Sequence, residues 1–347
     1  MREKVTITDI AQESGVSPAT VSLVLRNRPG VSDETRARVI EVAGKIGYQV
    51  KPIPASTRNS RLRTIGMVVK TEANLPARAN PFYSHVIIGV EDACRNNGID
   101  LLLSTMPVDE RNRPLGVPQM LSRGVADALL MVGTFVDETI TSAVGHKMAP
   151  IVLVDAYART EAFDAVVSDN FEAAWQAVEY LIRRGHRHIG LIGGEPDAYP
   201  SIKQRRGGYL RALRENHISG VYCADFNIMT GTGYEAAREL LEKNPQITAL
   251  FGVNDKVALA AMNAVQDLGY RVPEDISLIG YDDVDLAGSA KPALTTMHVD
   301  TVAMGRAAVQ LIMNRIEHPD SARVTLTIHP TLVERESIAK ARSDRST

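Results

Sequence analysis

The sequence predicts a small all-α head followed by a larger two-lobed α/β core built on parallel sheets. Three observations predict it. The 347-residue length exceeds one ordinary domain. Residues 1–63 carry 11 Lys/Arg against 6 Asp/Glu and no β-rich run, whereas the remainder carries 28 against 35. From residue 64 onward, short apolar β-branched runs alternate with helical stretches, the pattern of parallel strands covered on both faces.

The head reads as three helices. Thr6 caps a first helix containing Asp9, Ile10 and Ala11, with Asp9 in the third position of a capping box. Gly15 ends it, since glycine takes φ > 0 at little cost. Ser17 caps a second helix, with Pro18 at its first position, where no N–H is needed. Ser32 caps a third, with Asp33 and Glu34 at its positive end and Val39, Val42 and Ile46 at helical spacing. Val16, Val21 and Val24 are expected to meet Ile10 and Val39 in a small core.

The short turn between the first two helices fits a helix-turn-helix. With Val21 and Val24 turned inward, Pro18, Ala19, Ser22, Leu23 and Arg26 turn outward. Such a face suits close approach to base edges in a major groove. Ser17, Thr20 and Ser22 bring hydroxyl donors for phosphates. A basic head on an acidic body agrees with nucleic-acid binding, although windows of this size fluctuate by chance and a plain three-helix scaffold is the alternative.

Along the body, strands are expected at 64–69, 100–104, 126–132 and 150–155. A second set is expected to start at 165–169 and continue through 188–194, 248–253 and 276–283. Helices fall near 137–146, 171–184, 203–216 and 255–268. Two successive sets imply two similar lobes with a ligand cleft at the carboxyl ends of their strands. Asp155, Asn254, Asp255, Asp282 and Asp283 follow strands, Arg205 starts a helix, Phe82 and Tyr83 sit in the first strand-helix loop, and Phe226 in a loop of the second lobe. Carboxylates, an amide, a guanidinium fork and aromatic faces suit a polyhydroxylated ring. Asn254 and Asp282 could equally serve as helix caps.

Other classes are disfavoured. Cys94 and Cys223 have neither CxxC nor metal spacing and fit a reducing cytoplasm. The N-terminus lacks an apolar signal region, and no 18-residue apolar run occurs. The histidines of RGHRHIG have no cysteine or paired carboxylate nearby, so a surface helix-to-strand turn is expected rather than a metal site. GLIGG lacks the P-loop lysine. No metal, cofactor or catalytic residue is assigned.

The stretch VTITDIAQESGVSPATVSLVLRNRPGVSDETRARVIEVAGKIGY resembles the head of the lactose/galactose-repressor (LacI/GalR) family. The likeness continues through NPFYSHVIIGVEDACRNNGIDLLLS (80–104), VVSDNFEAAWQAVEYLIRRGHRHIGLIGG (166–194), VNDKVALAAMNAVQDLGYRVPEDISLIGYDD (253–283) and LVERES (332–337). It implies a cytoplasmic bacterial transcription regulator, a homodimer with a type I periplasmic-binding-protein-like core. Its partners would be double-stranded operator DNA and a small-molecule effector, with a sugar expected. DNA contacts would come from Thr6, Ser17, Pro18, Ala19, Thr20, Ser22, Leu23, Arg26 and Thr57, and effector contacts from Phe82, Asp155, Arg205, Phe226, Asn254 and Asp282. The domains would be a head (1–50), a hinge (51–63), an N-terminal lobe (64–165 plus 294–326) and a C-terminal lobe (166–293 plus 327–340).

The sequence departs from the family twice. Leu23 stands where many members carry Arg or His, giving an apolar face suited to thymine methyls. In the hinge, KPIPASTRNS replaces the usual Ala-Arg-x-Leu helix and puts Thr57 at the minor-groove leucine. Pro52 and Pro54 cannot lie inside a helix, so a hinge helix over 55–60 stays open. The alternative to a regulator is a stand-alone periplasmic-type sugar-binding protein. A sugar-processing enzyme would further need a general acid and base.

Overall fold

The structure, a computed structural model, describes residues 6–25, 31–46, 62–71, 80–144, 149–158 and 163–341. The chain divides into two units, residues 1–61 and 62–347.

The first unit holds α1 (Ile7–Ser14), α2 (Pro18–Leu25) and α3 (Asp33–Lys45). The Thr6 N–H and hydroxyl both donate to the Asp9 carboxylate, at 2.7 and 2.8 Å. Gly15 closes α1 with φ 68°. Ser17 Oγ accepts the Thr20 N–H at 3.0 Å, and Ser32 Oγ accepts the Thr35 N–H at 3.4 Å. Ile10, Ala11, Val21, Val24, Val39 and Ala43 form the core, with Val16 packed against it.

Among its described residues, the second unit contains two six-stranded sheets and a two-stranded one. The chain enters through β1 (Thr64–Thr71), α4 (Pro81–Asn96), β2 (Asp100–Pro107), α5 (Gln119–Arg123), β3 (Ala128–Val132), β4 (Phe135–Val136), α6 (Glu138–Val144), β5 (Ile151–Val154), β6 (Tyr157–Ala158) and β7 (Asp164–Ser168). It continues with α7 (Asn170–Arg183), β8 (Ile189–Ile192), α8 (Pro200–Glu215), β9 (Tyr222–Ala224), α9 (Gly233–Lys243), β10 (Ala249–Gly252), α10 (Asp255–Asp267), β11 (Ser277–Asp282) and α11 (Asp285–Ser289). It closes with β12 (Thr295–His298), α12 (Thr301–Glu317), β13 (Thr325–Ile328) and β14 (Thr331–Val333).

The first sheet runs β13-β7-β5-β3-β1-β2 and the second β14-β12-β11-β10-β8-β9. All pairings in the two are parallel except β12 with β14. The period-two alternation of β1 explains its layers. Met67 and Val69 join the cluster that includes Val86 and Val90 of α4, whereas Val68 joins Leu121 of α5 and Ile140 of α6 on the other face.

Three expected boundaries are corrected, one of them because β13 (Thr325–Ile328) carries the first lobe past residue 326. The run at 165–169 does not open the second lobe: β7 pairs with β5 and β13 in the first sheet. The return does not fall at residue 294, because β12 pairs with β11 in the second sheet and only α12 and β13 belong to the first lobe. Apolar strands read alike in either sheet, and hydrogen-bonded neighbours alone assign them. The RGHRHIG turn also differs from the surface expectation. His186 is buried, its ring nitrogens 2.9 Å from Thr248 Oγ1 and 3.2 Å from the Ala339 carbonyl.

Candidate functional site

The carboxyl ends of both sheets face a common cleft, a cavity of about 1070 Å³. Phe82, Asp155, Arg205, Phe226, Asn254 and Asp282 all line it. Such placement follows from parallel topology, which gathers the strand-to-helix loops at one edge of each sheet.

On the first-lobe wall, Asp155 follows β5 and is buried, with φ 44°. Its Oδ2 accepts the Tyr83 hydroxyl at 2.9 Å. Asn80 caps α4, accepting the Phe82 and Tyr83 N–H groups, and so sets both rings at the cleft. Burial pushes the Asp155 carboxyl above the usual range, against the opposing charges of Lys70 and Arg205 and the Tyr83 hydrogen bond.

On the second-lobe wall, Arg205 projects from α8 and is 4% exposed. Its Nε donates to Asn170 Oδ1 at 2.8 Å and its Nη1 to the Val253 carbonyl at 2.7 Å. Its Nη2 lies 3.0 Å from Asp282 Oδ1 in an ion pair. The guanidinium also sits 3.6 Å from the Tyr281 ring centroid, a cation–π contact. Burial raises the Asp282 carboxyl to about 6, with Arg205 opposing and the charge of Asp155 assisting. Asn254 also caps α10, its Oδ1 accepting the Val257 N–H at 2.9 Å. The capping and cavity readings therefore hold for the same side chain.

Sequence reasoning missed several lining residues, among them Lys70, Asn112 and Tyr199. Lys70, at the end of β1, is buried with Nζ 2.6 Å from Asn112 Oδ1. Asn112 belongs to the loop after β2, and Tyr199 to the loop after β8. The signal was present for Lys70 and Tyr199, since both sit where parallel strands end. Asn112 lay in a loop with no motif.

In the first unit, Ser17 and Pro18 at the start of α2 are exposed, and Thr20 and Ser22 are half-buried. Leu23 is 37% exposed and outside the packed cluster. Thr6 precedes α1 and Ala19 lies within α2. Arg26, Thr57 and residues 51–61 of the hinge lie outside the described residues.

Residues 6–50 match the bacterial regulatory proteins of the lacI family, and residues 178–338 match the periplasmic binding protein-like domain. The HTH-type transcriptional repressor PurR of Mannheimia succiniciproducens is 32% identical over 337 residues, 96% of this chain and 99% of that protein. This chain belongs to the LacI family. The LacI-family regulator is also 32% identical over 340 residues to PurR of Vibrio atlanticus, covering 96% and 98% of the two chains. A solved complex of the transcriptional regulator CelR with cellobiose is 30% identical, with TM-score 0.68 over 96% of this chain and 99% of that one. A lac repressor dimer bound to operator shares the fold at 22% identity and TM-score 0.67, covering 97% and 100%. The LacI-family chain is thus a ligand-responsive, DNA-binding transcriptional regulator. Among the described residues, no helix is long and apolar enough to cross a membrane.

Proposed function

We propose that this LacI-family regulator is a cytoplasmic homodimeric repressor whose core senses a sugar and whose head reads an operator through α2. The observation that carries the effector reading is the cleft itself. It sets two carboxylates, the buried Asp155 and the half-buried Asp282, and the Arg205 fork beside Phe82 and Phe226. Carboxylates accept from vicinal hydroxyls, guanidinium donates to ring oxygens, and aromatic faces pack on C–H faces of a ring. The bound cellobiose of the CelR relative supports the same class. In the head, Thr6, Ser17, Thr20 and Ser22 serve phosphates, while Pro18, Ala19, Leu23 and Arg26 face base edges. Thr57 takes the minor-groove position of the hinge. The regulator leaves its effector chemically unchanged.

The test is a thermal-shift screen of sugars and nucleobases, since a ligand of the folded state raises apparent stability by mass action. Sugar hits confirmed by calorimetry, recovered unaltered and shifting operator affinity, are expected. A nucleobase hit with no sugar hit replaces the sugar reading. Light scattering at micromolar concentration is expected to give a dimer, because one recognition helix per head reads only a half-site. A monomer overturns that part.

A further inference from the structure

We infer that Asp255 is a positioning residue for effector binding: it fixes the turn at 282–284 that presents Asp282 to Arg205, and residue 280 is glycine to admit it. The inference rests on the effector reading above and assigns a role to two residues outside the cavity lining.

Asp255 opens α10 and is fully buried. It is not needed as a cap, because Asn254 fills that role. Its two oxygens are directed instead at other elements. Oδ2 accepts the Val284 N–H at 2.9 Å, just beyond β11, and Oδ1 accepts the Thr296 hydroxyl of β12 at 2.6 Å. One carboxylate therefore joins a helix start, a turn and a neighbouring strand.

That turn needs such a clamp. Asp282 and Asp283 are consecutive non-glycine residues with φ 108° and 59°, conformations that persist only where their surroundings over-determine them. Arg335 and His298 hold the Asp283 carboxylate, at 2.6 and 3.0 Å. Asp255 holds the following amide. With the two residues after it held, Asp282 is left directed at Arg205, 3.0 Å away.

Gly280 supplies the independent observation. A Cβ at residue 280 would lie 2.1 Å from Asp255 Oδ1 and 2.9 Å from Leu294 Cδ2. The φ of Gly280 is not in the left-handed region, so space rather than backbone freedom requires glycine. Gly280→Ala should displace the Asp255 carboxylate without altering a lining side chain.

The experiment compares Asp255→Ala, Gly280→Ala and Asp255→Asn with the parent in the full chain. It reads hydrogen exchange at the Val284 amide and calorimetric titration with cellobiose as the probe. Asparagine retains the clamp, because its amide oxygen accepts from Val284 while its NH₂ donates to the Thr296 oxygen. Asp255→Asn is therefore expected to keep Val284 protection and affinity. The two alanine variants are expected to lose that protection and to bind the probe about ten-fold more weakly, the effect of unpairing a buried polar contact. Operator binding without sugar should stay within about two-fold of the parent, because neither residue belongs to the head.

Full Val284 protection in both alanine variants overturns the inference, as does a defect in Asp255→Asn equal to that of Asp255→Ala. If Asp255→Ala does not fold, Gly280→Ala decides alone. Asp282→Ala separates the two readings: parent-like probe binding by that variant, or no binding of cellobiose or any screened sugar by the parent, sinks the sugar site. The exchange data then still decide whether Asp255 holds the turn.

Discussion

The Tyr199 hydroxyl of the second lobe donates to the Asp155 carbonyl of the first at 2.9 Å. The ring stands edge-on to Phe135 and Tyr157, with centroids 5.1 and 5.2 Å away. Asn227 adds a second bridge across the cleft, donating to the Glu110 carbonyl at 3.0 Å. The cleft is thus tied by two side-chain hydrogen bonds to main-chain carbonyls, one beside the proposed effector carboxylate.

Tyr199→Phe keeps the ring contacts and deletes one bridge. A neutral hydrogen bond contributes about 0.5–1.5 kcal/mol net. The variant is expected to weaken effector binding by about 3- to 10-fold and to enlarge the radius of gyration of the ligand-free core in solution scattering. Unchanged scattering and affinity would show that the bridge does not restrain the lobes.

Arg205→Ala is expected to abolish the effector response and to leave operator binding by the ligand-free protein largely intact. The geometry adds a stability effect. The variant strands the half-buried Asp282 carboxyl and unpairs the buried Asn170 Oδ1 and the Val253 carbonyl. Removing one partner of a buried ion pair costs about 3–5 kcal/mol. Calorimetry reporting parent-like affinity would remove Arg205 from the site; an unchanged melting temperature would remove it from the scaffold.

The core should lose thermal stability as pH rises from about 4 to about 7. Burial, with the nearby charges of Asp282 and Asp283, raises the Asp255 carboxyl from its ordinary 3.8 to about 7, opposed by hydrogen bonds from Thr296 and Val284. A folded-state value above the unfolded one means that the folded protein holds the extra proton. The contribution to stability is then full below the unfolded value and is lost as pH rises through the folded one. Burial raises Asp282 in the same sense. Asp255→Asn should flatten the dependence of melting temperature on pH, and a slope identical to the parent's would assign it to other groups.

Leu23→Ala tests the DNA face. The side chain lies outside the packed cluster of the head, so its loss is expected to leave the melting temperature of the head nearly unchanged. Loss of a thymine-methyl contact should weaken the specific site by about 1–3 kcal/mol and relax preference at one base pair. Competition with single-base and thymine-to-uracil operators at fixed salt reads this, since phosphate contacts alone move affinity with salt. Equal loss on every sequence with a lower melting temperature would make Leu23 a packing residue.

The sequence by itself determined what depends on local chemistry. Caps at Thr6, Ser17 and Ser32, the left-handed stop at Gly15 and the inward valines specify the three-helix head within a few residues of chain. The apolar runs likewise specify strands. The rule that parallel strands place ligands at their carboxyl ends pointed to the strand-to-helix loops, and the family resemblance singled out Phe82, Asp155, Arg205, Phe226, Asn254 and Asp282 among their residues. The tertiary structure decided what depends on contacts between distant segments. A buried apolar strand reads the same in either sheet, so only hydrogen-bonded partners put β7 in the first sheet and β12 in the second. Lys70, Asn112 and Tyr199 gain their roles from groups 42 or more positions away. Asp255 and Gly280 are 25 positions apart in the chain, and only their packing reveals that one leaves room for the other's carboxylate.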